Sequence, residues 1–107
     1  MSVPVKTTLP FTDTSVAAAS EETVWATTNN VFDKLTVMLQ STQAGELVIQ
    51  ELDPNANVLE TARLAVGVSS AVKIVVDCAS DSIRVRFNNL AAATAATITG
   101  SVAGKLL

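Results

Sequence analysis

The feature that most constrains the fold of this chain is a series of short segments in which large aliphatic residues occupy every second position. The segment 34–41 shows it clearly, because Leu35, Val37 and Leu39 alternate with residues of other kinds. A period of two places alternate side chains on opposite faces of a β-strand. Val, Ile and Thr, whose branched side chains favour strands, make up 32 of the 107 residues. The sequence therefore predicts a protein built from strands.

Turn signals separate these segments at roughly ten-residue intervals, which is typical of a sandwich or jelly roll. The turns contain Gly, Pro, Asn, Asp or Ser, and no segment has the length and period of the helices of a parallel α/β fold. We predict an all-β fold, a single β-sandwich or jelly roll of seven to eight short antiparallel strands. The seven best-marked strands are 22–27, 34–41, 46–52, 58–66, 72–78, 82–87 and 95–103.

The first twenty residues lack this pattern. They mix Ser, Thr, Pro and Ala, and Pro4 and Pro10 each favour an extended backbone in the preceding residue. We predict an extended N-terminal arm over residues 1–20, ordered only where something holds it, and a β-sandwich domain over residues 21–107.

The arm offers two apolar candidate contacts for a partner, Val5 and Phe11. Its alanines leave a short helix over 16–22 as an alternative. The arm has no continuous apolar core of signal-peptide length, so we expect synthesis and retention in the cytoplasm without Sec-type export.

The commonest general base of enzymes is missing, which leaves only carboxylate catalysis open. The chain has no His and no Tyr, and Cys78 is its single cysteine. Ser-His and Cys-His triads therefore cannot form, and neither can a Cys/His zinc site or an internal disulfide. We expect no enzymatic activity and no cofactor, and we interpret Cys78 as a small hydrophobic residue.

The charge pattern argues against a nucleic-acid partner, and the short apolar runs argue against a membrane partner. Ten acidic and seven basic side chains give a net charge of −3, and the basic ones are scattered. Proteins that bind nucleic acids usually have clustered Lys and Arg with interleaved aromatic residues, so we expect no nucleic-acid partner. No apolar run approaches the length of a membrane span, so we expect no membrane partner.

One segment partly matches a calcium-binding loop. Asp53, Asn55 and Asn57 stand at its first three ligand positions, but Val58 and Leu64 replace the required Gly and bidentate Glu. A polar hairpin turn explains the same residues.

Three further residues are candidate partner contacts. Arg84 and Arg86 share one face of a strand, where they either pair with acidic neighbours on adjacent strands or present a polar contact surface. Trp25 is a residue of the core or of an interface. A lone Trp without any Tyr is a poor platform for stacking sugars.

Two predicted strands contain runs that are apolar on both faces, 47–49 and 74–76. The outer face of a small sandwich is normally polar. We expect either a loop or the arm to cover these runs, or another copy or protein to bury them.

The order of motifs from Phe32 to Asn89 resembles a known kind of protein. The motifs are Phe32-Asp33-Lys34-Leu35-Thr36-Val37, then Gln43-Ala44-Gly45-Glu46-Leu47, then Ser82-Ile83-Arg84-Val85-Arg86-Phe87-Asn88-Asn89. They resemble small β-sandwich modules of tailed-bacteriophage virions, including the jelly-roll capsid decoration (cement) proteins.

The resemblance implies a structural virion protein on the capsid surface. Its partners would be the major capsid protein and copies of itself, in a homotrimer whose arms reach neighbouring shell subunits. A protein that binds only the assembled shell stabilises that state by its binding free energy. A module of a phage tail, baseplate or head fibre is the alternative, and a small glycan-binding β-sandwich is a third.

Overall fold

The computed structural model describes the backbone of residues 6–28, 30 and 32–105, and the side chains of residues 15–28, 30 and 32–104. Within these ranges the chain forms eight β-strands and no helix. They are β1 (Lys6–Val16), β2 (Glu21–Thr27), β3 (Lys34–Ser41), β4 (Gly45–Leu52), β5 (Val58–Val66), β6 (Ser70–Asp77), β7 (Ser82–Asn89) and β8 (Ala96–Lys105).

The strands form two four-stranded antiparallel sheets. Sheet A has the order β1-β8-β3-β6 and sheet B the order β2-β7-β4-β5. Apart from β4 and β5, consecutive strands lie in different sheets, so the chain crosses repeatedly from one layer to the other. This is the double-sheet arrangement of a jelly roll, and the predicted all-β sandwich is confirmed.

The core lies between the sheets and follows the alternation seen in the sequence. Ile83, Val85 and Phe87 on β7 are fully buried, as are the alternate aliphatic residues of β3. Fourteen buried apolar residues form one cluster. Their removal from water stabilises the fold by roughly 25 cal/mol for each Å² of apolar surface.

The described part of the predicted arm is a strand of the sandwich. From Lys6 to Val16 it pairs with β8, with one register irregularity between Phe11 and Thr14. The predicted division at residue 20 is therefore corrected: β8 holds this extended segment, and Val16 is fully buried in the core. The pairing escaped the sequence analysis because its partner strand lies some ninety residues away along the chain.

The alternative of a short helix over 16–22 is also corrected. Residues 17–20 form a turn in which Ala19 has a φ of 53°, and the Ser20 hydroxyl donates to the carbonyl of Ala17. The strand pairings on both sides of this turn outweigh the helix propensity of three alanines, which is small per residue.

Candidate functional site

The outer face of sheet B carries a network of paired charges, which we call the charged face. Arg63 is its centre, with N···O distances of 2.7 Å to Glu46, 2.7 Å to Glu60 and 3.7 Å to Glu21. Asn88 also donates to Glu46, at 2.9 Å. Because these opposite charges satisfy one another within the chain, the charged face has little charge left to offer a partner.

The network shifts the pKa values of its carboxyl groups downward. The hydrogen bond from Asn88 and the charge of Arg63 hold the pKa of Glu46 below its ordinary value of 4.5, and the hydrogen bonds from Arg63 do the same for Glu60. A lowered pKa in the folded state means that these groups stabilise the fold above pH 4.5.

This stabilisation is expected to disappear as the pH falls through the lowered pKa values. The free energy of unfolding, measured by urea titration from neutral to strongly acidic pH, should therefore decrease below about pH 4.5. The variant Arg63→Gln should show a smaller decrease, and added salt should reduce the difference from wild type. Lys34→Gln is the control because the pair of Lys34 with Asp77 is long, at 3.6 Å, and Asp77 is 86% exposed. Equal pH profiles for Arg63→Gln and wild type would contradict the prediction.

The charged face also explains the first run that is apolar on both sides. Leu47 and Ile49 point into the core, whereas Val48 points outward and is nevertheless fully buried. Val48 lies directly opposite Arg63 on β5 and Arg86 on β7. The aliphatic stems of long cationic side chains cover apolar neighbours in this way. Neither the arm nor a partner is required at this position.

Arg86 belongs to the same network. Its Nε lies 3.1 Å from Glu21 Oε2, and its guanidinium also donates to the hydroxyl of Thr23 and the carbonyl of Glu21. Of the two alternatives for this residue, the structure favours pairing with an acidic neighbour on the adjacent strand.

Arg84 lies further along β7, opposite Gln50 on β4. Its Nε atom and the Oε1 atom of Gln50 are buried and have no hydrogen-bond partner among the described residues.

The other candidate contacts lie elsewhere. Trp25 packs against the core and, with Phe32 and Gly104, lines a small pocket of about 100 Å³. The side chain of Phe11 and the whole of Val5 lie outside the described residues; the backbone of Phe11 pairs with Gly100. The structure thus brings Arg84 and Arg86 together on sheet B, with Trp25 between the layers.

The loops at the two ends of the sandwich differ in charge. At one end, which we call the acidic end after its loops, the loops 28–33, 53–57 and 78–81 contain three Asp and no Lys or Arg, while Lys6, Lys34 and Lys105 stand at the adjoining strand ends. At the other, the uncharged end, the four loops are 17–20, 42–44, 67–69 and 90–95. They contain eight Ala and no charged residue, and they expose Val68 and Leu90.

The acidic end contains the partial match to a calcium loop. Oδ1 of Asp53 accepts from the backbone N–H groups of Asn55 and Asn57, and Oδ2 accepts from the side chain of Asn57. Hydrogen bonding, chiefly from Asn57, lowers the pKa of Asp53. Both carboxylate oxygens thus close the turn, as a polar hairpin requires. Among the described residues no three acidic or sulfur side chains are grouped so that they could hold a metal ion.

A groove of about 380 Å³ also opens at the acidic end, between the 53–57 turn and the 78–81 turn. It is lined mainly by Leu52, Pro54, Val58, Leu59 and Ala79. Leu59, 65% exposed, is the most exposed large apolar residue among those described.

Glu51, beside this groove, is a buried residue that the sequence analysis missed. Its carboxylate accepts from the Thr61 hydroxyl at 2.5 Å and from the backbone N–H groups of Ala79 and Ser80 at 2.8 and 3.1 Å. Burial raises the pKa of Glu51, but these bonds outweigh it and leave the pKa below its ordinary value. Glu51 follows Leu47 and Ile49 at every second position of β4, so its inward direction could have been inferred from the sequence.

Cys78 lies nearby and is half-buried. Burial, with smaller contributions from the charges of Glu51 and Asp77, raises the pKa of the Cys78 thiol to about 11. The thiol is therefore protonated at neutral pH, which agrees with the interpretation of Cys78 as a small hydrophobic residue.

Asn89 is the second residue that the sequence analysis missed, and it holds the uncharged end together. Its side-chain amide nitrogen lies 3.1 Å from the carbonyl of Val16, 3.2 Å from that of Ala17 and 3.0 Å from that of Thr94. Its Oδ1 accepts from the backbone of Ala91 at 3.0 Å. Asn89 follows Ile83, Val85 and Phe87 at every second position of β7, so its inward direction could also have been inferred from the sequence.

The outer face of sheet A contrasts with the charged face. Met38 on β3 is 49% exposed and Val75 on β6 is 51% exposed. From these two residues to the uncharged end, over 38–41 of β3 and 70–75 of β6, Lys73 is the only charged residue. In the second run that is apolar on both faces, 74–76, the outward residue Val75 is therefore exposed, because no described residue covers it.

No protein-family model matches the chain, and no curated protein matches it in sequence. Its fold, however, is similar to that of several solved structures. The PBSX exported protein XepA matches with a TM-score of 0.71 and 18% identity, over 90% of this chain and 36% of XepA. The SPBc2 prophage-derived protein YomS matches with a TM-score of 0.58 and 18% identity, over 97% of both chains. A chain from the infectious bursal disease virus Gx strain gives a TM-score of 0.56 at 10% identity, over 96% of this chain and 32% of that one.

These likenesses concern the fold alone. This chain spans about a third of the length of XepA and nearly the whole length of YomS. No helix among the described residues is long and apolar enough to cross a membrane.

Proposed function

We propose that this chain is a structural virion protein of a tailed bacteriophage, and more specifically a capsid decoration (cement) protein that binds the assembled head. The observation that carries the proposal is the jelly-roll fold, which is similar to that of one exported protein of PBSX and of one prophage-derived protein. The resemblance of the three sequence motifs points to the same class of virion proteins. A role in adhesion also agrees with a chain that has no His, no Tyr and one protonated thiol.

The proposed mechanism is stabilisation by binding. A protein that binds the assembled, expanded shell but not its separated subunits stabilises the shell by the free energy of that binding. Such a protein needs a rigid scaffold and adhesive surfaces. The continuous core supports the first requirement, and the exposed apolar residues of the uncharged end and of sheet A are candidates for the second.

A module of a phage tail, baseplate or head fibre is the second candidate. It is favoured by the match to XepA, of which this fold covers only 36%, so that the fold occurs there as part of a longer chain. The glycan-binding alternative loses support because Trp25 packs against the core and is only partly exposed. The homotrimer and the place on the capsid surface remain predictions of the resemblance.

Co-sedimentation with phage particles tests the proposal. The purified protein is mixed separately with expanded heads, unexpanded heads and isolated tails of the tailed phage that encodes it. We expect it to sediment with expanded heads at a fixed number of copies for each head and to raise the temperature at which the heads release DNA. Binding to tails alone would favour the second candidate, and binding to none of the three would contradict a virion role.

A further inference from the structure

The four edge strands of the sandwich differ in a way that bears on self-association. An open edge presents unpaired backbone groups to other chains, and proteins commonly disrupt such edges with bulges, prolines or charges. In the described chain the pairing of β1, β2 and β5 each contains a register irregularity, and β1 also contains Pro10. The pairing of β6 with β3 runs from Ser70 to Asp77 without one.

The composition of β6 also suits further pairing. Five of its eight residues are aliphatic, and Lys73 is the only charged residue before Asp77. Its inward residues Val72 and Ile74 are only partly buried, although they pack against the core, because no strand lies beyond β6 among the described residues. A long, regular, aliphatic edge of this kind is the template on which another strand pairs.

The hydrogen-bond pattern shows which backbone groups are available. Cys78 donates its backbone N–H to the carbonyl of Asp33. These two residues lie next to the pair formed by Lys34 and Asp77 in the β3–β6 register, so they form a hydrogen-bonded pair of the same ladder. Since hydrogen-bonded pairs alternate along an antiparallel ladder, the even-numbered residues of β6 bond to β3. The N–H and C=O groups of Ala71, Lys73, Val75 and Asp77 then point to the open edge.

We propose that two copies of this chain pair through β6, antiparallel, about a twofold axis at Val75, to form one continuous eight-stranded sheet. In this register Lys73 lies directly opposite Asp77 of the partner copy, and Asp77 opposite Lys73 of the partner copy. Oppositely charged residues in direct cross-strand positions stabilise an antiparallel pair. On the core side, Ile74 meets Val76 of the partner copy, so the partly buried Ile74 of each copy gains cover from a core residue of the other.

Other registers fit the same strand less well. A shift by one residue would place inward side chains opposite outward ones, which a continuous sheet does not allow. The register centred on Lys73 would set two lysines directly opposite each other, which is destabilising. The register centred on Val75 also leaves Asp77, which is 3.6 Å from Lys34 of its own chain, between two lysines.

The proposal concerns self-association and is independent of the proposed virion role. It predicts an isologous dimer, the commonest closed symmetry, in place of the homotrimer that the resemblance implies. Light scattering coupled to size exclusion, from micromolar to hundreds of micromolar, should give twice the chain mass of 11.1 kDa. A monomer or a trimer over this range would overturn it, whatever the outcome with phage heads.

Charge exchange tests the register. In Lys73→Asp and Asp77→Lys each homodimer would have two like-charged pairs, so each variant alone should dimerise at least about tenfold more weakly. An equimolar mixture of the two should recover the affinity, because every pair in the mixed dimer is then oppositely charged. These substitutions are at exposed positions, so both variants should fold. A mixture as weakly associated as the separate variants would overturn the register.

A proline tests the edge itself. Val75→Pro removes an N–H that does not bond to β3, so the monomer should keep its fold while the dimer weakens by at least about a hundredfold. Met38→Lys is the matched control, since Met38 is equally exposed on the same sheet but lies on an interior strand. Circular dichroism checks folding of both. A dimer that survives Val75→Pro, or that dissociates equally in Met38→Lys, would overturn edge pairing.

Discussion

Replacing Asn89 by alanine is expected to lower the free energy of unfolding by about 3 kcal/mol, a large part of the 5–15 kcal/mol that is usual for a domain. The Asn89 side chain is 1% exposed and bonds to the backbone at Val16, Ala17, Ala91 and Thr94. Its removal leaves the buried carbonyl of Val16, and part-buried backbone groups of the two chain reversals, without these partners. Leaving such groups unsatisfied costs more than losing an average hydrogen bond.

Urea titration of wild type, Asn89→Ala and Asn88→Ala measures this effect. Asn88 is the control because it is the adjacent residue of the same type, but on the outer face, where it bonds to Glu46. We expect a much smaller loss for Asn88→Ala and similar m-values for all three proteins. Asn89→Asp should lose as much as Asn89→Ala, since a carboxylate has no hydrogen to donate to the carbonyls. Equal losses at positions 88 and 89 would contradict this account of the uncharged end.

Replacing Glu51 by alanine is expected to have a comparable effect, about 3 kcal/mol, at the opposite end. The Glu51 carboxylate holds the 78–81 turn through the backbone of Ala79 and Ser80, and the turn is joined to β4 again where the Ser80 hydroxyl donates to the carbonyl of Leu52. Without the carboxylate, two backbone donors lose a charged acceptor, and hydrogen bonds to charged groups contribute about 1.5–3 kcal/mol each.

The pH dependence separates the charge of Glu51 from its packing. Because the folded-state pKa of Glu51 is lowered, its stabilisation is present above the ordinary value of 4.5 and is lost as the pH falls through the lowered pKa. Urea titrations should therefore show the gap between wild type and Glu51→Gln narrowing in acid. Glu60→Ala, on the exposed charged face, is the control, and its loss of stability at neutral pH should be much smaller than that of Glu51→Gln because exposed ion pairs contribute little. A gap that stays constant with pH would contradict the role of the charge.

Seven of the eight strands could be predicted because they follow from local spacing. All seven predicted strands exist, and the alternate residues of β3 and β7 point inward as expected. The same rule identifies Asn89 and Glu51 as inward residues. The sequence analysis missed them because it looked for apolar residues at inward positions, where a polar residue is present only if it is bonded.

The pairings of the candidate contacts could not be predicted. Arg86 meets Glu21 because β2 and β7 are neighbours, and Val48 is buried because β5 and β7 bring two arginines beside it. If the strands were arranged in a different order, Arg86 and Val48 could equally have faced solvent or a partner. Spacing along one strand carries no information about which strand lies next to it.

The amino-acid sequence alone determined that this protein is made of short strands with one apolar face each, since side-chain direction in a strand depends only on neighbouring residues. Only the tertiary structure decided that the N-terminal segment closes sheet A against β8, and that β6 is left as a regular open edge. Those features depend on contacts between residues far apart in the chain, which are selected by the packing of all eight strands together.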